Sequence, residues 1–258
     1  MARGISVDLE LNFEKRYRLI REIIETLVLT VLMFLIIQMA IQNFNIDGMS
    51  MEPTLHNGEL MIVDKWSYAF HAPARGDIIV FVAPPNPSQD YVKRVIGLPG
   101  DVISIQNTTI SINGKVLREP YIAPENQGNP YSSFVDRVIP ANTFFVLGDN
   151  RNGSSDSRAW GCVPRGNIIG RGALIYWPFG QNNLGLLPSA TSTFENLPAP
   201  PTHLPADAST CPVQNGVPAS APVALQSQSQ GGIQTGLLLI APSISVASRR
   251  RPTAKAKV

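Results

Sequence analysis

Ile110-Ser111-Ile112-Asn113-Gly114-Lys115-Val116-Leu117 reads as a β-hairpin. Asn and Gly both tolerate the positive φ that a tight two-residue turn needs at its centre, and apolar residues flank them on either side. Outward from this hairpin, short runs rich in Val, Ile, Phe and Tyr recur at residues 78–82, 91–96, 102–105, 143–147 and 172–177, punctuated by Gly and Pro. Each has the length of a strand and the borders of one. With no long amphipathic helix among them, the pattern predicts a mainly β fold, an antiparallel domain of two packed or partly rolled sheets over residues 43–188.

Before this domain, residues 27–41 are almost entirely apolar, and Ile20, Ile23 and Ile24 extend the stretch. A bilayer-crossing helix needs roughly 20 such residues, so a transmembrane anchor is expected over 20–42, after a short cytoplasmic segment, 1–19. A cleaved secretory signal also follows basic residues, but no small-x-small cleavage site comes after this run. Lys15, Arg16, Arg18 and Arg21 flank the apolar stretch on its amino side, whereas Asn43, Asn45 and Asp47 follow it. That bias predicts a cytoplasmic amino terminus in a single-pass protein of the cell membrane, with the β domain outside.

Beyond Pro188 the composition changes. Residues 189–230 are dominated by Pro, Ala, Ser, Thr and Gln, too poor in large apolar groups to offset the entropy of ordering. Residues 189–258 are therefore expected to form a disordered tail, and truncation after Pro188 to preserve activity. The apolar patch at 237–241 is too short to span a bilayer and is followed by Pro242, so it joins Arg249, Arg250, Arg251, Lys255 and Lys257 in a flexible basic tail.

Several function classes are disfavoured. A net charge of +2 over 258 residues gives no basic face for a nucleic acid. Cys162 and Cys211 stand far apart without metal-ligand spacing, and His56, His71 and His203 are scattered, so neither a metal nor another cofactor is expected. Cys162, in an apolar neighbourhood, reads most simply as a small buried hydrophobe, and nothing in the spacing supports its pairing with Cys211.

Ser50, a few residues past the anchor, and Lys93, within Tyr91-Val92-Lys93-Arg94, carry the candidate chemistry. A serine hydroxyl becomes a good nucleophile only when a base takes its proton. His56 is near in sequence, which does not place it within reach. A lysine serves if an apolar setting disfavours its ammonium form. Strand alternation puts Lys93 on one face with Tyr91 and Val95, and Arg94 on the other, solvated or paired. Taken singly, Ser50 also fits a turn and Lys93 an ordinary strand position.

Four blocks in one order settle the comparison: SMEPTL at 50–55, RGDIIVF at 75–81, YVKRVIGLPGD at 91–101 and GDNRNGSSDSRAWG at 148–161. Together they resemble the bacterial type I signal peptidases, membrane-bound Ser/Lys serine proteases that remove signal peptides from exported preproteins. The resemblance implies that Ser50 is the nucleophile and Lys93 the general base. Ser154 would help orient the lysine, and Asp149, Asp156 and Arg158 would support the site, the last two as a salt bridge. Phe44, Ile46, Met51, Leu55 and Val92 would line shallow pockets for small residues at positions −1 and −3 of a signal peptide. Each of these five also has a plain reading as core packing. Residues 104–142 correspond to the small variable second lobe.

Gly48 stands where some relatives carry a serine whose hydroxyl aids the oxyanion, which resembles the Gram-positive pattern and leaves the second donor open. The expected partners are signal peptides and the lipid bilayer. Two alternatives stay open: a specialised Ser/Lys processing protease of pilus or conjugation type, and a membrane-tethered β domain that binds peptides without cutting them. A self-cleaving repressor-type protease is argued against by the anchor and the fourth block.

Overall fold

The computed structural model describes residues 2–178, 185–188, 190–213 and 255–257, with side chains from Arg16 onward except at 255 and 256. Helix α1 spans Ala2–Ala40, and within its portion Arg16–Ala40 an 18-residue stretch has a mean hydropathy of 2.3. At 1.5 Å per residue that portion is long enough to cross the ~30 Å hydrocarbon core of a bilayer. It is the one such helix among the described residues, and its apolar side chains pack on no other part of the protein. The helix stops at Ala40, short of the expected residue 42, because Ile41 already pairs as a strand; the Lys65 N–H donates to the Ala40 carbonyl at 2.9 Å.

Among the described residues fourteen strands follow in chain order: β1 Ile41–Asp47, β2 Leu60–Asp64, β3 Ile78–Val82, β4 Asp90–Gly97, β5 Val102–Gln106, β6 Thr109–Ile112, β7 Lys115–Val116, β8 Phe134–Val138, β9 Thr143–Leu147, β10 Val163–Pro164, β11 Ile168–Trp177, β12 Gly185–Leu186, β13 Ser209–Thr210 and β14 Lys255–Lys257. The larger sheet runs β10-β9-β4-β14-β1-β2-β11-β12, and β3 pairs with both β4 and β11. Those last pairings close a ring, β4-β14-β1-β2-β11-β3, so the partly rolled sheet expected from sequence is a small barrel. Its pairings are antiparallel except those of β14, which is parallel to both neighbours. The smaller sheet, β13-β8-β5-β6-β7, forms the second lobe.

At the β6–β7 turn, Asn113 and Gly114 have φ of 51° and 80°, the mirror-image turn that their residue types favour. Inside the barrel, Phe44, Ile46, Met51, Leu55, Met61, Val63, Ile78, Val80, Val92 and Ile175 form one buried cluster. A second cluster, built on Ile96, Ile103, Ile105, Ile110, Ile112 and Phe145, joins the two sheets.

Two sequence-based expectations need correction. The chain stays packed well past Pro188: a short helix α4 at Thr191–Phe194, after α2 at Ser67–Phe70 and α3 at Ser157–Trp160, buries Phe194 in the second cluster. Cys162 is not a free small hydrophobe, for it forms a disulfide with Cys211 whose Cα atoms are 5.9 Å apart. Local composition hid both features, since a single Phe and a distant Cys anchor an otherwise polar segment. A chain cut after Pro188 loses the disulfide and Phe194, and is no longer expected to be neutral. The expected tail features at 214–254 lie outside the described residues.

Closing a 49-residue separation restricts the unfolded chain, so the double variant Cys162→Ser/Cys211→Ser is expected to lose about 2–4 kcal/mol of stability. Denaturant unfolding in detergent checks this, and no shift in midpoint would contradict it.

Candidate active site

Ser50 sits in a tight turn just after β1. The Glu52 N–H donates to the Met49 carbonyl at 3.2 Å and the Leu55 N–H to the Met51 carbonyl at 3.0 Å. Gly48 enters this turn with φ 120°, a conformation that a side chain would oppose, and its N–H donates to Asn57 Oδ1 at 2.9 Å. Lys93 lies at the middle of β4, whose pairing with β3 sets Lys93 opposite Ile79. Almost every residue of β4 is buried: on one face Val92 joins the barrel cluster and Ile96 the cluster of the second lobe, while on the other Val95 packs with Ile79, Phe81, Val146 and Trp160. The expected alternation therefore sorts β4 between two buried environments, not between core and water.

Ser50 and Lys93 are 3% and 2% exposed. Lys93 Nζ donates to Ser50 Oγ at 2.5 Å and to the Val92 carbonyl at 3.0 Å. Burial pushes the Lys93 amine down from its ordinary 10.5 to about 8, against the opposing pull of Asp156 and Asp149. Such a lysine disfavours folding while protonated. The penalty is full below about pH 8 and is relieved as the pH rises from there toward 10.5. His56 is half-exposed and faces Glu52, its Nδ1 3.9 Å from Oε1, so the neighbour of Ser50 in space is the lysine.

Both nearby carboxylates are buried and paired. Asp149 takes two bonds from Arg94, 2.8 Å from Nε and 2.6 Å from Nη2, and a third from the Thr54 hydroxyl at 2.5 Å. Asp156 takes 2.8 Å bonds from Arg158 Nε and Nη2, as the sequence comparison implied. Arg94 is thus the paired residue of the two options, and Asp149 keeps it charged against the opposing effect of burial. The Asn150 N–H donates to the Ser50 carbonyl at 2.9 Å, docking this loop on the serine turn. Gly148 is required here, since a Cβ would meet the Ser154 side chain and the Ser50 carbonyl.

Ser154 does not meet its expectation. Its buried hydroxyl has no hydrogen-bond partner, and Val92 supplies the second acceptor for the lysine instead. The five expected substrate-binding residues all fall in the barrel cluster, while the open cavity beside the pair, about 240 Å³, is lined by Ser50, Tyr91, Lys93, Gly153, Ser155 and Lys257.

The pattern of the signal peptidase family, peptidase S26, matches residues 19–177. The chain belongs to this family. A signal peptidase I from Leptolyngbya laminosa is 47% identical over 145 residues, covering 54% of this chain and 68% of that protein. One from Bacillus caldolyticus is 46% identical over 149 residues, covering 54% and 81%, and a signal peptidase IB from Staphylococcus aureus is 35% identical over 187 residues, covering 67% and 97%. A solved signal peptidase I from Enterococcus faecalis is 35% identical, with a TM-score of 0.35, covering 39% of this chain and 97% of that chain.

Within this signal peptidase, sequence reasoning passed over the group that clamps the 148–158 loop from the second lobe. Arg151 forks onto Glu119 with two 2.6 Å bonds and reaches the Gly148 carbonyl at 3.0 Å. Arg151 lies in a quoted block, but Glu119 stands in a stretch without any local signal. Thr54, likewise in a quoted block, owes its role to a partner far along the chain.

The Asp149→Asn variant leaves Arg94 buried without its counter-charge and should lose about 3–5 kcal/mol. Equilibrium unfolding tests it; a loss below about 1 kcal/mol, the usual worth of an exposed pair, would show that this ion pair is not the clamp.

Proposed function

We propose that this signal peptidase removes amino-terminal signal peptides from exported precursors, with Ser50 as nucleophile and Lys93 as general base. The observation that carries the reading is the 2.5 Å contact between two buried groups, one of them a lysine pushed down to about 8. In the neutral amine the bond reverses, and the Ser50 hydroxyl donates to the nitrogen lone pair. Lys93 takes this proton as Oγ attacks the peptide carbonyl, then delivers it to the departing amine. Water repeats the sequence on the acyl-enzyme ester, losing a proton to Lys93 as it attacks.

Negative charge on the attacked oxygen needs fixed donors. The Ser50 N–H, which donates to no acceptor among the described residues, is one. The Gly48 N–H is already taken by Asn57, so the second donor is a backbone group or a water brought in with substrate. Asp149, Asp156 and Arg158 hold the loop over the pair as positioning residues. Ser154 lies across Gly148 from the Ser50 carbonyl, where its unpaired hydroxyl is available to the lysine or to the hydrolytic water.

A signal peptide binds as an extended strand against the edges of β1 and β4, exchanging main-chain bonds. Phe44, Ile46, Met51, Leu55 and Val92 form the close-packed floor beneath it, and bulky −1 and −3 side chains are refused by clash. Helix α1 is the membrane anchor, with the basic flank inside and the catalytic domain outside. The disulfide supports that side, since such bonds persist outside the reducing cytosol. The Lys65–Ala40 bond sets partly exposed Trp66 at the helix exit, a residue suited to the membrane interface.

Ser50→Ala and Lys93→Ala are each expected to abolish precursor cleavage in liposomes with folding intact, whereas His56→Ala keeps most activity. Substantial cleavage by either of the first two refutes the pair. In the unaltered enzyme kcat/KM should rise about tenfold per pH unit on its acid side and level off above an apparent pKa of about 8. An acid limb centred near 6.5, the ordinary value of a histidine, would instead point to His56.

A further inference from the structure

The tail segment β14 occupies a position that chain order does not explain. It lies between β1 and β4, with Lys255, Ala256 and Lys257 opposite Asn45, Ile46 and Asp47 on one side, and Ala256 and Lys257 opposite Asp90 and Tyr91 on the other. Every other pairing in the barrel is antiparallel among the described residues, so β14 is an inserted strand and not a member of the meander. Without it, β1 and β4 face each other across a slot one strand wide, roughly 10 Å between ladders, with unpaired main-chain edges on both sides. Such a slot is a receptor for an extended peptide, because both edges offer hydrogen bonds to any sequence that fits.

The slot opens on the reactive pair. Tyr91 precedes Lys93 by two positions, Asp47 precedes Ser50 by three, and Lys257 borders the same cavity as Ser50 and Lys93. The segment runs toward that cavity, since its order ascends together with both neighbouring strands. Asp47 lies opposite Lys257 in the register, so these two charges complement. In sequence, Ala254 and Ala256 stand two apart with Lys255 between them, the small-x-small spacing that the proposed substrates present.

We propose that the peptide groove of this enzyme binds the chain's own segment around Lys255–Lys257 as a tethered ligand that an exported peptide must displace. This rests on the peptidase reading for its competitor, though not for the docking itself. Because residues 214–254 connect the segment to the body at Val213, docking is unimolecular. A tethered ligand of this kind has an effective concentration on the order of millimolar, enough to hold a weak main-chain ligand in place. The consequence is a higher KM with an unchanged chemical step, since the tail competes for the groove and leaves Ser50 and Lys93 intact once displaced.

The test compares the full chain with one ending at Ala254 and with the full-length Ala256→Pro variant, whose proline cannot donate within a strand paired on both sides. Hydrogen exchange at the amides of Asn45, Asp47 and Asp90, which face the segment, should quicken at least several-fold in both altered chains, whereas that of Ile46, bonded to the Glu59 carbonyl, should not. Their KM for a peptide substrate should fall several-fold at constant kcat. A synthetic peptide of residues 249–258 should restore protection to the shortened chain and inhibit it competitively. Unchanged exchange at these edges, or an unchanged KM after removal of the segment, overturns the proposal. The exchange experiment repeated on the inactive Ser50→Ala protein reads docking without catalysis, so failure of the peptidase reading would be seen separately.

Discussion

A lysine side chain withdrawn from water is the constraint on which the rest of this structure depends. Moving an ammonium group into an apolar interior is costly, and the cost is met here by a fall in the pKa of Lys93 to about 8. That fall survives beside two carboxylates only because each is already held by its own guanidinium, Asp149 by Arg94 and Asp156 by Arg158. An unpaired carboxylate at either place would restore the charged lysine. The two buried ion pairs thus set the protonation of the site as much as its shape.

The same groups fix where the serine stands. Arg94 follows Lys93 on β4, so the strand that buries the amine on one side projects the guanidinium to the other. There Asp149 joins it to Thr54 of the turn that carries Ser50, and Asn150 joins the loop to the Ser50 carbonyl. Three segments remote in sequence are held by one carboxylate. From the second lobe, Glu119 grips Arg151 and so braces the loop from behind. A short residual motion between strand and turn would break a 2.5 Å contact, which accounts for so dense a set of bonds around two side chains.

Much of this was legible in the sequence wherever the signal is local. Asn113-Gly114 marked its hairpin, the strand runs at 78–82 and 143–147 appear as β3 and β9, and the apolar stretch before Ile41 is a helix. Strands β1, β2 and β8 were passed over: β1 and β8 mix polar with apolar residues, whereas β2, five residues long like β3, carries a readable apolar run from Leu60 to Val63. Ser50 and Lys93 were singled out because their blocks are distinctive. What stayed hidden depends on distant partners: the Cys162–Cys211 bond, the Glu119–Arg151 fork, and the insertion of residues 255–257 into the barrel. The composition of residues 189–230 suggested disorder, yet Phe194, the disulfide and the pairing of β13 with β8 hold residues 190–213 on the body.

The ionisation of Lys93 itself is the most direct measurement. A carbon-13 label at the lysine Cε, assigned through the Lys93→Arg variant and followed by NMR across the pH range, reports when that amine loses its proton. A midpoint near 8 is expected, with the signal displaced in Ser50→Ala as the hydroxyl partner is removed. A midpoint near 10.4, as for a lysine in water, would mean that the amine remains an ammonium at working pH and cannot serve as the base.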